Sequence, residues 1–147
     1  MTNKKTTSIN KNIRKYFNFL FDMGFEITHT EYSPKFFGNW SVELESTNCV
    51  IYIVNDRDAI LVDFSPVGNK EVNNRFDIGT MIYFLSSGRE NIGPYEGNLA
   101  WGQKKQFQRM AVLLKKYLDK IVPYFGKNYI NYRDKIILAR EEYLNRN

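Results

Sequence analysis

The sequence has few of the residue types that build metal sites and covalent catalysis. Its 147 residues include one cysteine, Cys49, and one histidine, His29. An intrachain disulfide is therefore impossible, which fits a reducing compartment. Zinc sites take three or four ligands, mainly cysteine and histidine. One subunit has only two such residues, too few for a site of this kind. We expect no resident metal ion and no cofactor.

Catalytic motifs are equally scarce. The Gly-x-Ser-x-Gly elbow of serine hydrolases is absent, and a serine or cysteine nucleophile would have to use His29 as its base. Residues 88–102 include four glycines, but this segment lacks the Gly-Lys-Ser/Thr of a phosphate-binding loop. The sequence predicts a protein that is not an enzyme. An acid/base pair of carboxylates, which can come from distant positions, is the alternative left open.

Long apolar runs are also missing. No stretch approaches the roughly 18 apolar residues of a membrane span, and the N-terminus lacks the apolar region of a secretory signal. We expect a cytoplasmic chain that does not contact a membrane. With 43% hydrophobic and 16% aromatic residues, it can bury a substantial core, and the length suits a single domain over 1–147. Residues 1–8 are polar and are expected to fray.

Helical periodicity is clear at both ends of the chain. A first helix, capped by Ser8 or Asn10 and ended by Gly24, has an apolar stripe at i, i+3, i+4, i+7 and i+8. Its members are Ile13, Tyr16, Phe17, Leu20 and Phe21. Asp77 is the predicted N-cap of a short helix over 78–85. The longest stripe predicts a helix over 107–125, and a last helix is expected over about 129–144.

Strand patterns occupy the middle of the chain. Segment 25–32 is short and mixed. Segment 36–46 alternates, with Trp40, Val42 and Leu44 on one face and Ser41, Glu43 and Glu45 on the other. Segment 50–54 is apolar on both faces, and 59–64 is similar except at Asp63. The connections between the last three segments are short enough for antiparallel hairpins. The predicted fold is therefore α+β: an N-terminal helix, a four-stranded antiparallel β-meander, and then three helices packed on the sheet.

Charge is unevenly distributed along the sequence. The net charge is +4 over residues 1–24, −6 over 25–100 and +7 over 101–147, for a total of +5. One interpretation is a basic surface that binds nucleic acid or a membrane. The other is that the terminal helices place their basic faces around an acidic sheet within the same domain.

Three strand segments resemble a known group of proteins. Residues 37–44 begin Phe-Gly-Asn and alternate, residues 51–57 end in Asp-Arg, and residues 60–64 carry an apolar-Asp pair. Over about residues 13–85 the chain resembles small bacterial proteins, some of them immunity proteins of polymorphic-toxin or contact-inhibition systems. The resemblance implies a helix before the strands, further helices after them, and a cognate toxin or defence component as partner. It carries no catalytic residues.

The first hypothesis is a binding protein that acts by protein–protein contact. Alternation is expected to place Glu43, Glu45 and Asp63 on the solvent-exposed face of the sheet, where they suit a basic partner. Residues of a turn and of the glycine-containing segment complete the predicted contact. The partner-binding residues are Glu43, Glu45, Asp56, Arg57, Asp63 and Tyr95.

The alternative hypothesis is nucleic-acid binding. Four basic residues of the third predicted helix recur at spacings of four, seven and four and would lie opposite its apolar stripe. They are Lys105, Arg109, Lys116 and Lys120. Such a stripe could follow phosphates, although lysine is also the usual residue of a solvated helix face.

Overall fold

The structure is a computed structural model, and it describes residues 4–92 and 102–147. Five α-helices are formed within these ranges. They are α1 (Lys4–Tyr16), α2 (Asn18–Asp22), α3 (Ile78–Leu85), α4 (Gln103–Ile121) and α5 (Tyr129–Arg146). Five strands accompany them. They are β1 (Glu26–Ser33), β2 (Asn39–Glu45), β3 (Cys49–Asp56), β4 (Ala59–Pro66) and β5 (Phe76–Asp77).

The sheet is an antiparallel meander in the order β1-β2-β3-β4-β5. The predicted α+β class and antiparallel sheet are confirmed, but the sheet has five strands instead of four. The additional strand, β5, is only two residues long and pairs Phe76 with Phe64 and Asp77 with Asp63. A strand of two residues has no measurable period, so hydrophobic alternation could not reveal it.

The N-terminal helix differs from its prediction in two ways. It begins by Lys4 rather than at Ser8 or Asn10, so that Ile9, which is buried, lies within the helix. The helix is also interrupted at Phe17, whose φ of −121° and ψ of 30° separate α1 from α2.

The three later helices occur near their predicted positions. Asp77 caps α3, because its Oδ2 accepts a hydrogen bond from the Thr80 backbone N–H at 3.3 Å. Helix α4 ends at Ile121 and continues as a 3-10 turn over Val122–Phe125, which includes Pro123. Helices α3 and α4 contact β4, whereas α5 packs mainly against α3. Helix α5 reaches the sheet at β5, where the ring centroids of Tyr129 and Phe76 are 6.4 Å apart.

One face of the sheet forms the core with the helices. Trp40, Val42 and Leu44 alternate along β2 and are buried, as the sequence predicted. Phe107 of α4 reaches this layer, with its ring centroid 6.1 Å from that of Trp40. Phe125 stacks on Phe64 of β4 at 6.1 Å. The opposite face of the sheet carries the remaining alternate residues of the strands.

Candidate functional site

The face of the sheet turned away from this core, here called the outer face, carries the predicted acidic residues. Its positions follow from the strand register. They are Glu26, His29, Glu31 and Ser33 in β1; Asn39, Ser41, Glu43 and Glu45 in β2; Val50, Tyr52, Val54 and Asp56 in β3; and Ala59, Leu61, Asp63 and Ser65 in β4. Apart from Val50, Tyr52 and Ser65, which are buried, all are exposed or half-buried. Glu43, Glu45 and Asp63 thus share one face, together with Asp56.

One row of polar side chains crosses the whole sheet. Glu43 is paired with His29 on one side and with Tyr52 on the other, and Tyr52 is paired in turn with Asp63. On the far side of Asp63, Asp77 of β5 is its cross-strand partner and ends the row. Directly opposed residues in antiparallel strands have Cβ atoms about 5 Å apart. The row therefore brings together carboxylates that are far apart in the sequence.

Two basic side chains fold over this row, and we call Lys70 and Arg75 the basic clamp. Both belong to the connection between β4 and β5. The Lys70 Nζ lies 3.0 Å from Glu45 Oε2, and the Arg75 Nη2 lies 3.4 Å from Asp63 Oδ2. The guanidinium carbon of Arg75 lies 3.7 Å from the centre of the Tyr52 ring, a cation–π contact. The clamp holds the connection against the outer face.

The clamp corrects the expectation that the acidic residues are fully solvated. The side chains of Glu45 and Asp63 are only 19% and 28% exposed. The cause is tertiary, because the connection that covers them comes from a later part of the chain. A hydrogen bond from Thr28, together with the ammonium group of Lys70, lowers the pKa of Glu45. Burial raises the pKa of Tyr52, whose hydroxyl lies 2.9 Å from Ser65 Oγ.

Among the carboxyl groups of the outer face, Asp63 has the most strongly shifted pKa. Burial raises its pKa to about 6 from an ordinary value of 3.8, although the Arg75 guanidinium acts in the opposite direction. The neighbouring carboxylate of Asp77 adds to the increase. Near neutral pH the folded protein therefore holds a charged Asp63 at a cost in stability, which Arg75 reduces only in part.

Asp63→Asn should therefore stabilise the protein at pH 7.5 and change little at pH 4. The folded-state pKa exceeds the unfolded one, so the unfolded chain loses the proton first and stability falls as pH rises from about 4 through 6. The full shift corresponds to roughly 3 kcal/mol, and we expect a gain of about 1–3 kcal/mol. Urea denaturation at both pH values measures it. Asp134→Asn is the control, since that side chain is 97% exposed; equal gains from both substitutions would contradict the assignment.

Asp56 and Arg57 lie at the end of the outer face, in a tight turn. Arg57 and Asp58 have φ values of 49° and 71°, so β3 and β4 are joined by a two-residue hairpin with left-handed central residues. The side chain of Asn39 supports this turn, because its Oδ1 accepts the Arg57 backbone N–H at 2.8 Å. The Arg57 Nε donates to Asp56 Oδ1 at 3.1 Å. The sequence predicted a short hairpin connection at this point, and the structure shows that it has two residues.

Between this turn and the basic clamp the outer face is open. A shallow depression of about 400 Å³ is lined by side chains of all four long strands. Half-buried Val54 and Leu61 form an apolar floor, and Glu31 and Asp56 supply carboxylates beside it. Sequence reasoning missed Glu31, Val54 and Leu61. The register of β1 on β2 would have placed Glu31 here, but the sequence does not fix a register that contains the β-bulge between Ile27 and His29.

Of the remaining residues singled out in the sequence, Cys49 lies away from the outer face. Tyr95 lies outside the described residues. His29 is on the outer face, 57% exposed and 3.9 Å from Glu31. Cys49 is a free thiol buried on the core side, where burial raises its pKa far above its usual range. The imidazole and the thiol therefore belong to different layers of the protein.

The predicted basic stripe is on α4, away from the outer face. Lys105, Lys116 and Lys120 are exposed there, whereas Arg109 is half-buried. The contact with Tyr117 and, to a smaller extent, the negative charge of Glu90 raise the pKa of Lys116. The stripe thus has three exposed cations.

A larger cleft, of about 650 Å³, lies where the β4–β5 connection meets the start of α5. Asn74, which is buried, accepts hydrogen bonds from the Tyr129 hydroxyl at 2.6 Å and from Arg133 Nε at 2.9 Å. These bonds attach the connection to α5 and explain how it stays in place over the sheet. The role we assign to this cleft is structural.

Comparison with known proteins was made for the whole chain. No protein-family model, curated protein or solved structure matches it. Among the helices of residues 4–92 and 102–147, none has the length and apolar content to cross a bilayer. In the same ranges, His, Cys, Asp and Glu side chains form no group of three that could hold a metal ion. The function is therefore argued from the geometry of the outer face.

Proposed function

We propose that this chain is a non-enzymatic, cytoplasmic binding protein whose outer face covers a basic surface of another protein. The observation that carries the proposal is the outer face itself. It presents a group of carboxylates on the side of the sheet opposite the core helices, and two of them, Glu31 and Asp56, line a depression with an apolar floor. We propose further that the partner is a toxin or a defence component, which binding neutralises by occlusion.

Charge supports a basic partner. Glu31, Glu43, Glu45, Asp56 and Asp63 all lie on the outer face. The basic clamp and Arg57, which pairs with Asp56, compensate three of these charges. Glu31 and Glu43 keep the face acidic in a chain of net charge +5. An acidic face of this kind attracts a positively charged surface and speeds its association.

The depression supports a contact with protein. Val54 and Leu61 provide apolar area at the centre of the open part of the face, and polar and acidic groups surround them. A desolvated apolar centre with a polar rim is the usual arrangement of a protein interface. The most buried polar groups of the face bind one another, as in the Asp63–Arg75 and Tyr52–Ser65 pairs. These groups already have partners within the chain, which favours binding over catalysis.

Site-specific photo-crosslinking in the producing cells tests the proposal. A benzoylphenylalanine at Leu61 or Val54 is expected to capture one basic protein. The same residue at Val112 or Leu138 is the control, since these side chains are 63% and 56% exposed on α4 and α5. Equal capture from both sets of positions, or capture of an acidic protein, would contradict the proposal.

Nucleic-acid binding by α4 is the second candidate, favoured by three exposed lysines on one side of that helix. With Arg109 they could contact four phosphates. Affinity for mixed DNA or RNA should then fall roughly 100-fold between 50 and 200 mM salt. Filter binding measures this, and an absence of binding at 50 mM salt would eliminate the candidate.

A further inference from the structure

The hairpin between β1 and β2 exposes two adjacent phenylalanines at its tip. Phe36 is 66% exposed and Phe37 is 77% exposed, and we call this pair the aromatic tip. Removing a phenylalanine side chain from water is favourable by about 1.5–3 kcal/mol, and in the free protein these two side chains forgo most of that gain. A polar turn would satisfy the fold equally well.

The backbone of the tip also disfavours phenylalanine. Phe37 has a φ of 59° and is followed by Gly38 with a φ of 70°, and the Asn39 backbone N–H closes the turn on the Phe36 carbonyl at 2.9 Å. Glycine, asparagine and aspartate are the residues that suit such left-handed positions. A bulky residue at positive φ is an outlier, and conformations of this kind concentrate at binding and active sites.

The aromatic tip adjoins the outer face. Asn39, the residue after the tip, bonds to the β3–β4 turn through the Arg57 N–H at 2.8 Å and contacts Asp56 Oδ1 at 3.5 Å. Phe37 and Asp58 line the same small hollow. The two turns therefore form one end of the molecule, continuous with the open depression and its carboxylates.

We infer that the aromatic tip anchors the protein partner by inserting into an apolar pocket beside the partner's basic surface. This inference rests on the proposed function and assigns the residues that dominate the contact. Aromatic side chains commonly carry a large share of the binding energy of an interface. Both signs of charge lie beside the tip, as Asp56 and Asp58 and as Lys35 and Arg57. The outer face that continues from the tip carries an excess of carboxylates, and an anionic lipid surface repels them. A protein is therefore favoured over a membrane.

The test adds Phe36→Ser and Phe37→Asn to the variant with the crosslinker at Leu61. We expect the crosslinked yield of the partner to fall at least tenfold. Asparagine adopts a left-handed conformation readily, so the melting temperature should stay the same or rise, which excludes unfolding as the cause. Leu144→Ser is the control, since Leu144 is 62% exposed on α5; it should change the yield less than twofold.

Other outcomes separate this inference from the proposed function. An undiminished yield with both phenylalanines replaced overturns the anchor and leaves the outer face as the binding site. Capture by a crosslinker at position 36 but not at Leu61 supports the anchor and contradicts the outer face. Co-sedimentation with phosphatidylcholine–phosphatidylglycerol (3:1) vesicles, lost when the two phenylalanines are replaced, overturns the protein anchor in favour of a membrane contact.

Discussion

Phe125→Ala is expected to lower the free energy of unfolding by about 3–5 kcal/mol. Phe125 is 1% exposed, and its ring lies 6.1 Å from that of Phe64, 6.3 Å from Phe76 and 5.7 Å from Tyr129, between centroids. These rings belong to β4, β5 and α5. The substitution therefore leaves a cavity where the chain after α4 joins the sheet to the last helix.

Urea denaturation followed by circular dichroism measures this loss. Phe36→Ala is the matched control, because it removes the same atoms from a side chain that is 66% exposed. Its effect should stay within about 0.5 kcal/mol. A loss below about 1.5 kcal/mol for Phe125→Ala would mean that the aromatic cluster is less tightly packed than the structure shows, or that it collapses around the cavity.

Reversing two charges on the outer face should weaken binding of the partner about 100-fold. Glu31→Lys with Glu43→Lys replaces two attractions to a basic surface by two repulsions, and each reversal is worth roughly 1–2 kcal/mol at an interface. Both glutamates are on the outer face, at its open end and in its central polar row. The partner is first identified with the crosslinker at Leu61. Titration calorimetry then measures the dissociation constant of its complex with this chain.

A matched pair of substitutions controls for net charge. Glu141→Lys with Glu142→Lys makes the same change on exposed positions of α5 and should alter the dissociation constant less than threefold. The unsubstituted complex should also weaken with added salt, because exposed charges are screened beyond about 10 Å at 0.1 M. Equal effects from the two double variants would show that total charge, and not the outer face, governs binding.

Local patterns in the sequence predicted several elements correctly. The alternation of Trp40, Val42 and Leu44 with polar residues identified β2 and its two faces. Asp77 identified the start of α3, because a capping side chain acts on a backbone N–H three residues away. Charge along the chain also carried information, since the carboxylates of the outer face all belong to the acidic middle segment. Each of these signals involves residues close in sequence.

The sequence did not predict that the connection between β4 and β5 covers part of the outer face. The connection between β4 and β5 brings Lys70 and Arg75 over Glu45 and Asp63. Buried hydrogen bonds from Tyr129 and Arg133 to Asn74 hold this connection in place. Those partners are separated by 55 and 59 residues, and no local pattern relates them. The perturbed pKa of Asp63 follows from the same covering segment.

The amino-acid sequence by itself determined the α+β class, the antiparallel sheet and the residues that face each side of β2. These properties follow from the two-residue period of a strand and the 3.6-residue period of a helix. Tertiary structure alone decided that Asp63 is half-buried and that the aromatic tip adjoins Asp56. Burial and proximity depend on which distant segments pack together, and that choice is made by the free energy of the whole core.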